Sequence, residues 1–252
     1  QILDRAAAAG LSHIAITDHD TLDGVLAVAG RSTGPVLIPG IELAADLPHC
    51  EVHILGYHFD LDHPELRRQI SLVAQDRFDR AERMVAKLAK LGYPLSYDRV
   101  LAIAGSAAAI GRPHIAQALV EKKYFADIDA VFAAVLDHDK PGYVPHYKLT
   151  PADAVALIKD AGGIAVLAHP GLMGDDAVVR AMISLGVGGL EAFHPMHSRQ
   201  ETAKYLAMAA EHGLIVTGGS DFHGFPGRFP ETLGRFTVPA ALAIRLAELV
   251  QA

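Results

Sequence analysis

The chain has 252 residues, 51% hydrophobic and 20% charged, with a formal net charge of −7. That composition suits a soluble globular protein with a large core in one or two domains. It excludes a membrane-spanning helix, because no apolar run approaches the roughly 20 residues needed, and it argues against unspecific binding to long nucleic acids, which requires a basic surface. The N-terminal Q-I-L-D-R-A-A-A-A-G has no basic leader ahead of an apolar stretch, so no signal peptide is read. The single cysteine, Cys50, precludes an internal disulfide and lies outside every motif discussed below. Both features fit a reducing, cytoplasmic setting. Histidine is the outlier, with 14 residues, and it is the commonest metal ligand and proton shuttle.

In chain order, residues 3–9 are alanine-rich and helical, with Gly10 placed to stop the helix. Ile14 to Thr17 is a short buried strand. V-L-I-P-G-I-E-L at 36–43 is a second, broken at Pro39-Gly40, and E-V-H-I-L-G-Y-H at 51–58 is a third. From 64 to 92 charged and apolar residues alternate at helical spacing, and the helical signal continues intermittently from Tyr97 to about Leu136. P-A-D-A-V-A-L-I-K-D-A-G-G at 151–163 is a helix that ends in glycine. Strands return at 164–170, 189–194 and 214–223, with helices around 175–185 and 199–212 between them. Strands that are nearly continuous apolar runs, alternating with helices, predict an α/β fold with a parallel sheet covered on its faces. The expected organisation is a barrel built from residues 1–61 and 146–252, with 62–145 a mostly helical insertion covering the active site. No internal repeat stands out.

The strand endings carry the chemistry. The strand at 14 runs into Asp18, His19 and Asp20; the one at 36 carries Glu42; the one at 51 carries His53 and His58. The strand at 164 ends in His169, the one at 189 in Glu191 and His194 with His197 just beyond, and the one at 214 in Asp221 and His223. A single histidine at a strand end is an ordinary structural residue, but six such endings are not independent accidents. In a βα barrel the C-terminal strand ends converge on one face, where active sites sit. Imidazoles and carboxylates gathered there call for cations between them. A mixed donor set suits Mn, Fe or Zn better than Ca or Mg. Two or three divalent metals are expected.

The segments I-A-I-T-D-H-D-T, P-G-I-E-L followed by E-V-H-I-L-G-Y, G-R-P-H-I-A-Q-A-L, G-G-I-A-V-L-A-H-P and G-G-S-D-F-H-G together resemble the PHP (polymerase and histidinol phosphatase) family, in order and in spacing, over nearly the whole chain. The resemblance is to the branch of bacterial phosphoesterases that remove the 3′-phosphate from nucleoside 3′,5′-bisphosphates. It implies a distorted (β/α)7 barrel holding two or three metals, with Mn first among the choices. It implies that His19, Glu42, His53, His169, Asp221 and His223 are metal ligands, with Glu42 bridging two metals. It implies that Arg112 and His114 bind phosphate. Lys148, His194 and His197 become candidates to grip a second phosphate or to protonate the leaving oxygen, with His194 the first choice of acid. Asp18 and Asp20 read as groups that orient a ligating histidine or cap a helix. Phe222, Phe225 and Tyr143 are available to stack on a base.

The expected reaction is hydrolysis of a phosphomonoester such as adenosine 3′,5′-bisphosphate to AMP by a metal-activated hydroxide. The expected partner is a small nucleotide, with neither long nucleic acid nor membrane. The alternatives are a 5′-to-3′ exoribonuclease, a histidinol phosphatase, a non-catalytic PHP module, and an amidohydrolase, the last disfavoured because the strand ending in His169 carries no bridging lysine. The family's opening strand, with its His-x-His and following aspartate, has no counterpart in this sequence, which starts in the family's first helix. The expectation is either a fragment of a longer protein, short of one strand–loop unit of about 20 residues, or a sequence whose numbering starts inside that protein; a chain that truly began at Gln1 would fold weakly and bind poorly the metal that His-x-His would hold. Supplying such a segment should raise bound metal and phosphatase rate; unchanged values would contradict the expectation.

Overall fold

The computed structural model describes residues 1–31, 33–47, 50–105, 110–145, 147, 149–224 and 232–249. In chain order the elements are α1 (Ile2–Ala8), β1 (His13–Ile16), α2 (Asp23–Val28), β2 (Val36–Asp46), β3 (Glu51–Tyr57), α3 (Pro64–Lys90), α4 (Tyr97–Ala104), α5 (Arg112–Glu121) and α6 (Ile128–Val131). A π-helical turn (Phe132–Leu136) follows, then α7 (Pro151–Asp160), β4 (Ile164–Leu167), a 3-10 turn (Pro170–Met173), α8 (Asp176–Ser184), β5 (Gly189–Phe193), α9 (Arg199–Glu211), β6 (Ile215–Gly218) and α10 (Ala240–Glu248). The chain divides into two units, Gln1–Arg67 with Lys148–Ala252, and Arg68–Tyr147.

Local chemistry sets the element ends. Gly10 takes φ +75° just past α1, and the amides of Gly10 and Leu11 return to the carbonyls of Ala7 and Ala6. That is the left-handed helix stop glycine adopts without steric cost. Thr150 caps α7 by accepting from the Asp153 amide, with Pro151 at the first helical position. Ser198 and Glu201 form a reciprocal capping box on α9. Helices α2 and α10 were not anticipated; α2 has only six residues, too short for an amphipathic period to register.

The first unit holds one six-stranded sheet in the order β1-β2-β3-β4-β5-β6. The all-parallel expectation is corrected here. β1–β2, β4–β5 and β5–β6 are parallel, whereas β3 runs antiparallel to both β2 and β4. The reason is the connection: four residues, 47–50, separate β2 from β3, with Leu47 N–H donating to the Cys50 carbonyl. A parallel crossover needs a dozen or more residues. β2 also continues through Pro39-Gly40 rather than breaking there. Gly40 is needed for closeness, since a Cβ would lie 2.6 Å from Thr17 Cγ2 and 3.0 Å from the Ile16 carbonyl oxygen.

Strand alternation then sorts the two faces. Register places Ala15 opposite Ile38, Glu42 opposite Leu55, Leu55 opposite Val166, and Glu191 opposite Thr217. One face therefore carries an apolar layer in which Ile38, Leu55, Tyr57, Val166, Ala168 and Leu246 pack together. Further along the same face, Glu42, His53, Glu191 and Thr217 follow. The opposite face buries Ile41, Leu43, Ile54 and Leu167 completely or nearly so, and α7 lies close enough that a Cβ on Gly56 would meet Ile158. The second unit has its own core, in which Met84, Leu88, Val100, Ile115, Leu119 and Leu136 pack together. Each fully buried side chain of this size contributes about 1.5–3 kcal/mol.

The end of β6 tests this packing. A Cβ on Gly218 would meet the Cβ and carbonyl oxygen of Phe193 and Cγ1 of Val238. Backbone atoms cannot rotate away, so Gly218→Ala should cost about 1–3 kcal/mol. Urea unfolding followed by circular dichroism reads this as a lowered midpoint, and an unchanged midpoint would contradict the close packing.

Candidate metal centre

Glu42 is the hub. It lies in mid-β2, 4% exposed, and its two carboxylate oxygens face different imidazoles. Oε1 lies 2.7 Å from His53 Nδ1 and 3.2 Å from His169 Nε2, and those two nitrogens are 3.1 Å apart. Oε2 lies 3.7 Å from His19 Nε2. Burial pushes the Glu42 carboxyl up, but the hydrogen bonds to His169 and His53 and the nearby His19 outweigh it and hold the group well below the usual carboxylate range. Burial pushes the His19 imidazole down, towards the neutral form a metal ligand requires.

Each ligand candidate arrives by a separate route. His19 follows β1 and bridges to Glu42 in parallel register. Asp20 holds that junction by accepting from Ala44 N–H and donating its amide to the Glu42 carbonyl. His53 is near the start of β3, not its end; because β3 runs backwards, its start lies beside Ala44, level with the polar end of the sheet. His58, at the far end of β3, donates from Nε2 to the Leu246 carbonyl and takes no part in the cluster. His169 follows β4 with φ +25° and ψ +57°.

A second group adjoins the first. Asp221 and His223 lie beyond β6, and His223 Nδ1 approaches the Asp221 carbonyl oxygen to 2.9 Å. Asp221 Oδ2 lies 3.5 Å from His194 Nε2 and Oδ1 lies 3.5 Å from His223 Nδ1. Burial raises the Asp221 carboxyl, yet the contact with His194 wins and the net shift is downward. The rings of His19 and His223 are 6.0 Å apart, and those of His169 and His194 are 5.6 Å apart. Five of the six expected ligands thus surround or adjoin Glu42. A cavity of about 600 Å³ is lined by His19, Glu42, His169, Asp221 and His223 and continues over Leu55 and Tyr57, a volume suited to a small-molecule substrate.

The donor set fits divalent metals. Three donors converge at 2.7–3.2 Å from one another, close to the roughly 3.3 Å between ligands around a tetrahedral ion with bonds of about 2.0 Å. His53 Nε2 lies 2.8 Å from Glu51 Oε1, which leaves Nδ1 for the cluster. This carboxylate–histidine pairing orients metal-bound imidazoles. Among the described residues, buried His169 Nδ1 has no hydrogen-bond partner.

The remaining candidates sit differently. His194 is 2% exposed; its Nδ1 accepts from Met196 N–H, so the neutral ring carries its proton on Nε2, towards Asp221. His197 has both ring nitrogens engaged by backbone, Nδ1 with the Ala192 carbonyl and Nε2 with Gly171 N–H, which makes it a brace between β5 and the 3-10 turn after β4. Arg112 and His114 belong to the second unit, at the start of α5. Arg112 donates to the Leu136 carbonyl, and His114 Nδ1 accepts from Gly111 N–H, capping its own helix. Lys148 and Phe225 lie outside the described residues. The sequence reading missed two acids as partners. Glu51 stands two residues before His53, a spacing that puts both on one strand face. Glu191, 6% exposed, accepts from His169 N–H at 2.8 Å. Burial, with the charges of Glu42 and Asp221, pushes its carboxyl up to about 8.

This geometry makes bound metal a stabiliser. Divalent metal at about 100 times its Kd should raise unfolding stability by about 2.7 kcal/mol. Glu42→Gln should remove most of that increment, read as the difference in thermal midpoint with and without Mn²⁺. An undiminished increment would show that Glu42 is not the hub.

No family model matches the chain. It is 34% identical to a 3′,5′-nucleoside bisphosphate phosphatase of Chromobacterium violaceum, over 93% of this chain and 84% of that one. It is 30% identical to a phosphoribosyl 1,2-cyclic phosphate 1,2-diphosphodiesterase of Eggerthella lenta, over 95% and 93%. It is 31% identical to the 5′-3′ exoribonuclease Rnm of Salmonella typhimurium, over 88% and 78%. A crystal structure from Bifidobacterium adolescentis, assigned as a metal-dependent phosphoesterase, superposes with a TM-score of 0.73 at 31% identity, covering 97% of this chain and 87% of that one. The three named activities differ in substrate but share attack on a phosphoester, and each match covers 88% or more of this chain. The chain therefore belongs to the PHP family of metal-dependent phosphoesterases.

Proposed function

We propose that this enzyme removes the 3′-phosphate from nucleoside 3′,5′-bisphosphates, converting adenosine 3′,5′-bisphosphate to AMP in a cytoplasmic setting with Mn²⁺ as the preferred metal. The observation that carries the reading is the Glu42 carboxylate with one oxygen towards His53 and His169 and the other towards His19. Glu42, His19, His53, His169, Asp221 and His223 would hold two or three metals. When bound, these supply Lewis acidity that neutralises phosphoryl oxygens and acidifies water.

The chain's own residues do the rest. Arg112 presents a planar fork that matches two phosphate oxygens at once. His114, with Nδ1 committed to its own helix cap, has Nε2 left for phosphate. Water attacks phosphorus in line with O3′ and loses a proton to solvent, the P–O3′ bond breaks, and its electron pair goes to O3′. His194 would deliver the proton for that oxygen from Nε2 as an imidazolium, formed when Nδ1 releases the Met196 N–H and takes up a proton, with Asp221 stabilising the charged ring. Glu42 and Asp221, whose carboxyls are both held down, keep the surroundings negative, which favours metal occupancy. The exoribonuclease relative supports a second reading, stepwise cleavage of short RNA from its 5′ end. The net charge of −7 favours the small substrate, because a long anionic strand gains affinity from a basic track.

Phosphate release from adenosine 3′,5′-bisphosphate with Mn²⁺ should leave the 5′-monophosphate, and His169→Asn or Asp221→Asn should abolish it with circular dichroism unchanged. Turnover surviving in both variants would overturn the ligand assignment. Faster degradation of a short 5′-phosphorylated RNA than of the bisphosphate would favour the second reading.

The role of His194 has its own test. If it protonates O3′, His194→Gln should slow a nucleoside 3′-phosphate about 10²–10⁴-fold but barely affect a p-nitrophenyl ester, whose leaving group needs no proton. Equal losses on both would mean that His194 only orients Asp221.

A further inference from the structure

The helical unit holds a concentration of positive charge that the metal centre does not account for. Arg80 on α3 donates from Nε to the Val144 carbonyl at 2.6 Å, and Lys87, two turns on, donates to the Tyr143 carbonyl at 2.7 Å. Arg112, first residue of α5, donates to the Leu136 carbonyl at 3.3 Å. The guanidinium carbons of Arg80 and Arg112 lie 5.4 and 5.7 Å from the centre of the same Tyr143 ring, and Arg112 lies 5.6 Å from that of Phe132. Both arginines are half-buried. Aromatic faces hold guanidinium planes in fixed orientations.

Neither guanidinium is ion-paired among the described residues. Asp76 contributes a favourable charge to Arg80, but its Oδ1 accepts from Arg83 Nη2 and its Oδ2 from Tyr147 N–H, each at 2.6 Å. Each guanidinium offers five N–H donors. Carbonyl oxygens take one from each, and the Tyr143 hydroxyl draws on Arg80 as well. Among the described residues, most donors are left over. Burial, with the charge of Arg112 behind it, pushes Arg80 below its ordinary range. A chain of net charge −7 has carboxylates enough to neutralise this cluster, yet its own fold directs them elsewhere. Two like charges held together without an anion are a cost to the fold that an oxyanion would reverse.

We propose that Arg80 and Arg112, oriented by the Tyr143 ring, form an oxyanion site within the helical unit that takes a phosphoryl group. The inference builds on the reading of Arg112 as a phosphate-binding residue and adds Arg80 as its partner, with Lys87 fixing the 143–144 segment. Arg80 sits 32 residues before Arg112 of the G-R-P-H motif and in no motif of its own, so only the folded unit brings the two forks together.

The test uses the full chain, ¹⁵N-labelled and stripped of metal with EDTA so that the metal centre cannot hold phosphate. Inorganic phosphate and AMP are titrated separately while the arginine Nε–Hε signals are followed. The signals of Arg80 and Arg112 should shift together and saturate. Arg80→Met should weaken binding at least tenfold, and Arg80→Lys, which keeps charge but loses the fork, should fall between. Tighter binding of AMP would identify the occupant as a nucleotide phosphate, and tighter binding of inorganic phosphate as the free anion. Absence of a saturable shift in the unsubstituted chain, or wild-type affinity in both Arg80 variants, would overturn the site. Failure of the bisphosphatase reading shows separately, as no 3′-phosphate release by the metal-loaded enzyme.

Discussion

A carboxylate at 4% exposure stays ionised only if its surroundings supply positive charge or strong donors. Glu42 meets that condition on both oxygens at once, and the rest of the polar cluster is arranged to satisfy it. His53 and His169 crowd one oxygen closely enough that their ring nitrogens are 3.1 Å apart. Two neutral imidazoles would not choose such proximity around a hydrogen bond alone, since each has only one proton to give. A cation accepts all three lone pairs together. A carboxylate with ligands on both sides is also the simplest way to hold two cations a few ångströms apart, because its charge screens their repulsion.

The sheet explains why these residues meet. Alternation places Glu42, His53 and Glu191 on the same face as Leu55, Tyr57 and Val166, so the apolar layer forms the floor beside a polar layer. The floor lowers the local dielectric and strengthens each electrostatic contact. The reversal of β3 is part of this arrangement. Were β3 parallel, His53 at its start would be carried to the far end of the sheet, away from the cluster.

Much of this was legible in the sequence, for identifiable reasons. Strands ending in T-D-H, L-A-H-P and S-D-F-H are short apolar runs that stop abruptly at ionisable groups, and both halves of that pattern are local. The helix stops at Gly10 and Gly162 were equally local. The direction of β3 was not, because apolar periodicity carries no sign; the four-residue connection at 47–50 was the available clue. Glu51 and Glu191 were missed as partners because each acts through another residue's ring or amide. Nothing in G-L-E-A-F distinguishes a buried acceptor from an exposed acid. His197 misled in the other direction. It lies close in sequence to His194, but the fold spends both of its nitrogens on backbone.

The backbone at the strand ends carries a further consequence. Asp20, His169 and Asp221 have φ values of +52°, +25° and +49°, a region that costs a non-glycine residue roughly 1–3 kcal/mol. All three lie just after a strand and at the cluster. Glycine would relieve the strain and remove the ligand or its support, so the fold retains the side chain and restrains the backbone around it. Glu191 accepts the His169 amide, Asp20 accepts the Ala44 amide, and His197 accepts the Gly171 amide two residues beyond His169. These restraints are hydrogen bonds from buried or half-buried acceptors, which are costly to leave unmade. They fix the ligands in place before any cation arrives. The strain at these three positions sits where small displacements decide whether three donors can share one ion, and the acids and imidazoles around the cluster are what allow it to persist; His58 and Lys123, at φ +59° and +60°, lie outside the cluster.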